Sequence, residues 1–309
     1  MKKVLIVTFS QSGQLDKIVS NISNSFPESI DVHYEKLVPV PQFPFPWKDI
    51  SFYDAMPESV MMIPSNNESV SFNPDEDFDL IILGYPIWFL SPPIPITTFL
   101  KSPEAKKVMK GKPIVTVVGA RNMWVMAQEN IKEMILDNGG ILAGNIVLCD
   151  KHNNLISVIT IIYWMMTGKK ERYLGLFPVP GISDDDIERA KRFAPVITEV
   201  ILNNKFSDLQ DKLLELKAVE LSPNVVSTEE KGKKIFRIWS AFILRKGESG
   251  SKHRIGRLIM FKWYLLFVIF VVSPIVSLLF YLTWPLVFIR IRKKMKYYSG
   301  VELKVTSDE

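Results

Sequence analysis

Residues 79–93 read DLIILGYPIWFLSPP. Leu80 to Leu83 form a continuous apolar run, short enough for a strand buried on both faces. Gly84 ends it. Tyr85, Pro86, Ile87, Trp88 and Phe89 follow, too apolar for an ordinary solvated loop. Pro92 and Pro93 suit a helix start, because proline fits the first turn without losing a hydrogen bond. A buried strand thus delivers an aromatic loop to the carboxyl edge of a sheet. In open α/β sheets that edge binds ligands. The loop either walls a ligand site or is tucked against a neighbouring helix.

The flanking sequence repeats the pattern. Residues 2–9 (KKVLIVTF) read as a first strand, SQSGQL as a loop, and 15–26 as a helix with Ile18, Val19 and Ile22 inward. Strand, small polar loop and helix aim backbone N–H groups and a helix N-terminus at an anion. Ser10 and Ser12 add hydroxyls there, or serve only as an N-cap. Residues 30–37 alternate as a second strand. A helix over 92–110, a strand over 114–118, the loop GARNMW at 119–124, a helix over 125–138 stopped by Gly139-Gly140 and a last strand over 141–149 complete the series. Such alternation over 150 residues implies a parallel, doubly wound α/β sheet of five strands.

Two insertions interrupt this domain, which is placed at 1–203. Residues 38–76 are rich in proline and aromatics and are expected to pack over the sheet edge as a pocket wall or lid. Residues 153–180 carry the apolar run NLISVITIIYWMMT, too short for a membrane span and suited to capping the ligand edge or to a homodimer interface. From Ser183 a helix starts with acids in its first turn. Ile187, Ala190, Phe193, Ala194, Ile197 and Ile201 give its inward face.

Charge divides the chain. Residues 1–230 hold 22 Lys/Arg and 29 Asp/Glu, a net of −7; residues 231–309 hold 16 and 4, a net of +12. An acidic body with a basic tail points to a polyanionic partner. Residues 204–230 read as a solvated connector. Residues 231–262 interleave ten Lys/Arg with large apolar residues, the pattern of a helix lying on an anionic bilayer. Residues 263–289 follow without a charge, then the basic tail 290–309. With Pro274 near the middle and basic flanks on both sides, a re-entrant hairpin is expected, and a single kinked span is the alternative. The tail, residues 231–296, is thus assigned to the cytoplasmic face of a membrane rather than to nucleic acid. One cysteine excludes an internal disulfide framework and a Cys-rich metal site, and residues 1–7 hold too short an apolar run for a signal core.

Three loops converge at the predicted edge. Ser10, Gln11, Ser12, Gly13, Gln14 and Leu15 suit a phosphate. Pro86, Ile87, Trp88 and Phe89 offer flat apolar surface. Gly119, Ala120, Arg121 and Asn122 offer backbone groups and a cation. That combination suits flavin mononucleotide (FMN), with its ring against the aromatic loop. No G-x-G-x-x-G follows the first strand, which disfavours a dinucleotide.

SQSGQL, DLIILGYPIW and the following PP…FL pattern resemble the flavodoxin-like flavoproteins, including their NAD(P)H:quinone reductase branch, over residues 2–202. The family's phosphate loop usually carries threonines where this chain has Ser12 and Leu15; Leu15 removes one hydroxyl donor. GARNMW, the apolar insertion after DKHNN and the basic hydrophobic tail further resemble the flavodoxin-like proteins of bacterial dialkylresorcinol (flexirubin-type pigment) biosynthesis, often labelled condensing enzymes. Condensation needs an activated Cys with His partners, and a lone Cys149 with three histidines gives little support. The resemblance implies instead an aromatase: an FMN-dependent oxidoreductase turning a lipophilic dialkylcyclohexanedione into a dialkylresorcinol. Arg121 is the candidate for enolate or phosphate contact, His152 for base or proton relay, and Tyr85 for a hydrogen bond to substrate or flavin. The alternatives are a membrane-associated NAD(P)H:quinone or flavin reductase, and a tethered electron-transfer flavodoxin.

Overall fold

The computed structural model describes residues 1–303. Five parallel strands form the central sheet: β1 Lys2–Thr8, β2 Ile30–Lys36, β3 Leu80–Pro86, β4 Pro113–Ala120 and β5 Ile141–Cys149, in the order β2-β1-β3-β4-β5. That is the flavodoxin-like order, reversing between β1 and β3. Successive residues of the inner strands face opposite sides. Leu5, Val7, Ile81, Leu83 and Tyr85 enter one core; Val4, Ile6, Leu80 and Ile82 enter the other. Both faces are covered, so these strands carry continuous apolar runs rather than alternation.

Helix α1, Gln14–Ser23, buries Leu15, Ile18, Val19 and Ile22 against the second core. The excursion 38–76 holds two short helices, α2 Asp49–Asp54 and α3 Met56–Val60. The helix expected over 92–110 is two, α4 Ile94–Leu100 and α5 Pro103–Met109. Pro103 has no N–H to continue the first, and the Ser102 hydroxyl accepts from Ala105 N at 3.1 Å to start the second. Helix α6, Val125–Asp137, stops at Gly139, where φ is +70°. The apolar insertion forms α7, Asn154–Thr167. The segment from Ser183 forms α8, Asp184–Glu188, a short 3₁₀ turn and α9, Ala194–Asn203, with the six expected apolar residues in the second core.

The tail differs from its expectation in two respects. Residues 204–230 are not a solvated connector. Helix α10, Leu209–Glu215, buries Leu209 and Leu213 in the second core. It also covers the open edge of β5: Gln210 Oε1 accepts from Asn145 N at 2.7 Å, and the Ala218 carbonyl accepts from Val147 N at 2.7 Å. Unpaired strand N–H groups need such partners. Helix α11, Pro223–Leu244, is docked on α3 and α6 rather than free, with Val226, Glu229, Ser240 and Ile243 buried.

Beyond it, α12 Ile255–Phe267, a π-helical turn Val268–Val272 and α13 Ser273–Ser299 run on as one helix, Lys252–Ser299, long and apolar enough to cross a membrane; its ends are anchored by buried Arg254, Leu258, Phe261, Ile291 and Tyr298, and the most apolar stretch between them is hardly buried. No loop splits it; the expected hairpin and the alternative span meet here in one continuous helix. It is not straight either. Tyr264 packs on Trp239, and Lys294 pairs with Glu230, nine residues away on α11. That is about 14 Å along α11, whereas the thirty helical residues between Tyr264 and Lys294 would run about 45 Å if straight. The helix bends back toward the body. A π-turn next to Pro274, and Pro285 within α13, are the usual causes of such bends.

Candidate functional site

The carboxyl edge of the sheet carries a cavity of ≈ 240 Å³. Ser10, Gln11, Ser12, Gln14 and Leu15 line it from the loop between β1 and α1. Pro86, Ile87, Trp88 and Phe89 line it from the end of β3, and Gly119, Ala120 and Arg121 from the end of β4. These three loops end adjacent parallel strands at the order reversal, where diverging crossovers leave a crevice.

The first loop holds unused donors. Gly13, at φ +77°, turns the chain into α1. Among the described residues, no acceptor takes the backbone N–H groups of Ser10 to Leu15 or the hydroxyls of Ser10 and Ser12. The two glutamines are committed. Gln11 Nε2 donates to the Pro44 carbonyl at 2.9 Å, fixing the excursion. Gln14 donates to the Ile182 carbonyl at 2.9 Å and accepts from Ile182 N at 3.1 Å. Leu15 is buried against α1's core neighbours, so the side chain that replaces a hydroxyl serves packing.

The aromatic loop is a strained hairpin. Trp88 and Ser91 exchange both backbone hydrogen bonds at 2.9 Å, and Phe89 and Leu90 between them sit at φ +49° and +60°. Such a turn favours Asn-Gly, and left-handed geometry costs about 1–2 kcal/mol for each side-chain-bearing residue. Aromatic packing holds it. Trp88 meets Phe9, Phe43 and Trp47 edge-on at centroid distances of 5.5, 5.0 and 5.3 Å, and Phe89 lies 4.8 Å from Phe52.

At the third loop, Arg121 Nη1 donates to Asn154 Oδ1 at 2.6 Å and to its carbonyl at 3.1 Å. Burial lowers the guanidinium to about 10, with Asp150 opposing that shift, so it stays charged at neutral pH. No carboxylate pairs with it among the described residues. Asn122 also donates to Asn154 Oδ1, at 2.6 Å, and ties the loop to α7 rather than lining the cavity.

Two expected participants lie elsewhere. Tyr85 shares the parity of Ile81 and Leu83 and so points into the core under α6. It is fully buried and its hydroxyl donates to Gln128 Oε1, while Gln128 in turn donates to Thr116 at 3.1 Å. It does not line the cavity. His152 is also outside. Its Nδ1 and N–H both meet Asp150 Oδ1, at 2.6 and 2.9 Å, and Asp150 Oδ2 accepts from Ser157 at 2.6 Å. That cluster shapes the entry to α7. Burial pushes the Cys149 thiol up to about 12, which opposes the thiolate form that a nucleophile needs.

Both insertions reach the cavity. Phe45 and Phe52 line it from the excursion, and Ile161, Trp164 and Met165 from α7, as their apolar composition suggested. Gly181 and Ile182 were not legible. At Gly181 φ is +81°, and a Cβ would lie 2.8 Å from the Trp164 ring and 2.9 Å from Gln14 Oε1, so glycine is required there. The only sequence hint is a Pro-Gly pair ahead of a helix cap.

No family model and no curated protein matches the sequence. Among solved structures, similar ones include a flavoprotein from Lactobacillus acidophilus NCFM in complex with FMN (18% identity, 48% of this chain and 93% of that one, TM-score 0.38). A flavodoxin from the domain Archaea shares 15% identity over 65% and 99%, with a TM-score of 0.35. A flavone reductase shares 11% over 66% and 65%, also at 0.35. The fold itself is fixed by the strand order: this is a flavodoxin-like α/β domain with a long apolar C-terminal helix.

Proposed function

We propose that this chain is an FMN-dependent oxidoreductase acting on a lipophilic substrate at the cytoplasmic face of a membrane. One observation carries the reading: unused N–H donors, an aromatic hairpin and a half-buried cation without an ion pair among the described residues surround one cavity at the strand-order reversal. The residues fit the cofactor. The N–H groups of Ser10 to Leu15, with the Ser10 and Ser12 hydroxyls, would hold its phosphate. Pro86 to Phe89 would flank its ring, and Gly119 to Arg121 its pyrimidine edge. When bound, FMN supplies a two-electron acceptor for hydride.

The finer reading is aromatisation of a 2,5-dialkylcyclohexane-1,3-dione. That substrate loses one proton and one hydride to become a dialkylresorcinol. The dione enolises readily, and Arg121 provides a fixed positive charge for the enolate oxygen in a low-dielectric site. With Tyr85 and His152 outside the cavity, no side-chain base is assigned. Trp164, Phe45 and Phe52 exclude water and orient the ring. Long alkyl substituents would concentrate the substrate in membrane, which gives the apolar helix a purpose. The alternative is an NAD(P)H:quinone or flavin reductase; a tethered electron-transfer flavodoxin is a third reading, less suited to a cavity walled by two insertions.

The test is a visible spectrum of the full chain in detergent, followed by anaerobic addition of a dialkylcyclohexanedione. Bleaching of bound flavin with one resorcinol formed per flavin supports aromatisation. Bleaching only by NAD(P)H supports the reductase. A colourless protein that takes up no FMN overturns all three readings.

A further inference from the structure

A second and larger space lies away from the sheet edge, in the groove between α11 and α13, with a volume of ≈ 900 Å³. Its two ends differ in chemistry. Lys231, Lys234 and Arg237 follow one another at three-residue spacing along α11 and face Arg290 of α13 across the groove. All four are exposed, and none pairs with a carboxylate among the described residues. The one acid in the lining among the described residues, Glu230, is engaged by Lys294 and by the Tyr298 hydroxyl at 2.9 Å. The groove therefore presents uncompensated positive charge at this end.

The other wall is apolar. Val276, Phe280, Thr283 and Val287 recur at four, three and four residues, one stripe of α13. From Val276 to Val287 the helix rises about 16 Å, close to the roughly 15 Å of one bilayer leaflet's hydrocarbon. The stripe turns cationic at Arg290, immediately after the uncharged stretch ends.

We infer that this groove is a binding site for one anionic glycerophospholipid, its phosphate held by Lys231, Lys234, Arg237 and Arg290 and an acyl chain laid along Val276 to Val287. Charge complementarity and the leaflet-length apolar wall together select such a lipid. A free phosphate would leave the apolar wall unused, and a nucleic acid would have to cover it. The inference rests on the reading of the long helix as membrane-embedded. A lipid seated here would brace α13 against α11, and α11 in turn touches the hairpin at the cavity, where Leu90 meets Gly232.

The full chain, purified in detergent, is titrated with phosphatidylglycerol and with phosphatidylcholine, and bound lipids are counted by native mass spectrometry. One phosphatidylglycerol is expected at concentrations where phosphatidylcholine is absent. The triple variant Lys231→Gln, Lys234→Gln, Arg237→Gln should lose about a hundredfold in that affinity, roughly fivefold per cation. The control Arg292→Gln, Lys293→Gln, Lys296→Gln removes equal charge outside the groove and should lose less than fivefold. Val287→Trp keeps every charge and fills the apolar wall; it should lose at least tenfold. Inorganic phosphate at matched ionic strength should displace nothing. Equal losses in the two triple variants, equal binding of both lipids, or displacement by phosphate overturns the site. Flotation with vesicles separates the two levels. Flotation on either vesicle with equal binding of the two lipids by mass spectrometry overturns the groove alone, and no flotation on either overturns the groove together with the membrane reading.

Discussion

Gln14 and Ile182, 168 residues apart, pair in both directions: the side-chain amide donates to the Ile182 carbonyl at 2.9 Å, and Ile182 N–H donates back at 3.1 Å. A glutamine side chain thus imitates a strand neighbour and straps the segment that follows the second insertion to the loop between β1 and α1. Gln14→Ala removes both bonds and leaves the Ile182 backbone groups without their partner. A loss of about 1–3 kcal/mol is expected by urea denaturation, with weaker FMN retention by fluorescence titration. Unchanged flavin affinity would show that the strap does not bear on the cavity.

Trp88 is a wall of the cavity and an anchor of the hairpin at once. Trp88→Ala should cost about 3–5 kcal/mol, because the ring is almost fully buried among Phe9, Phe43 and Trp47. Trp88→Phe keeps an aromatic face and should cost about 1–2 kcal/mol. A shifted flavin absorbance band in Trp88→Phe would place the ring at the isoalloxazine; an unchanged band in a stable variant would assign Trp88 to packing only.

Arg121 is the remaining candidate for the chemistry. Arg121→Gln keeps a donor to Asn154 and removes the charge. Flavin affinity should change less than tenfold, while turnover falls about 10²–10³-fold, the usual scale for one lost stabiliser of developing negative charge. Turnover within threefold of the parent protein would assign the cation to holding α7.

Glu229 of α11 accepts from Met126 N at 2.8 Å, at the first turn of α6. Burial pushes its carboxyl up to about 8, against the opposing pull of the Met126, Val125 and Trp124 N–H groups. The folded chain therefore keeps a proton that the unfolded chain releases near 4.5. Stability from this group is full below that value and falls as pH rises toward 8, by at most about 1.4 kcal/mol per pH unit. Urea midpoints between pH 5 and 9 should decline in the parent protein and decline less in Glu229→Gln. Parallel profiles would remove Glu229 as the source.

Arg254 fastens the tail. It has no exposed surface, and its guanidinium donates to Asp54 Oδ1 at 2.6 Å and to both Glu58 oxygens at 2.6 and 3.0 Å. Arg254→Ala leaves two partly buried carboxylates unpaired and should cost about 3–5 kcal/mol, read as a lower melting temperature and new proteolysis near Gly247–Gly250. The parent protein's protease resistance, if retained by the variant, would show that the apolar contacts of Leu258 and Phe261 suffice.

The strands and their order of appearance were legible in the sequence, because apolar runs of strand length separated by helical periods admit little else than a parallel sheet. The same reading found the three loops, since each follows a strand directly and lands at the carboxyl edge. Local chemistry also determined the Gly139 stop, the Ser183 start and the uncharged stretch 263–289. What tertiary structure decided were pairings at long sequence separation. Tyr85 reads as a loop residue, yet its place in the strand's two-residue period sends it into the core. Gln14 reads as a phosphate-loop donor and is taken by Ile182. Residues 204–230 read as solvated because their apolar positions are sparse, yet Leu209, Leu213 and Val226 are buried in the two cores that flank the sheet. The sequence by itself determined which segments are strands, helices and apolar arm, because those depend on neighbours within a few residues. Which side chains line the cavity and which are consumed elsewhere depended on contacts 30 to 200 residues apart, for which no local period leaves a mark.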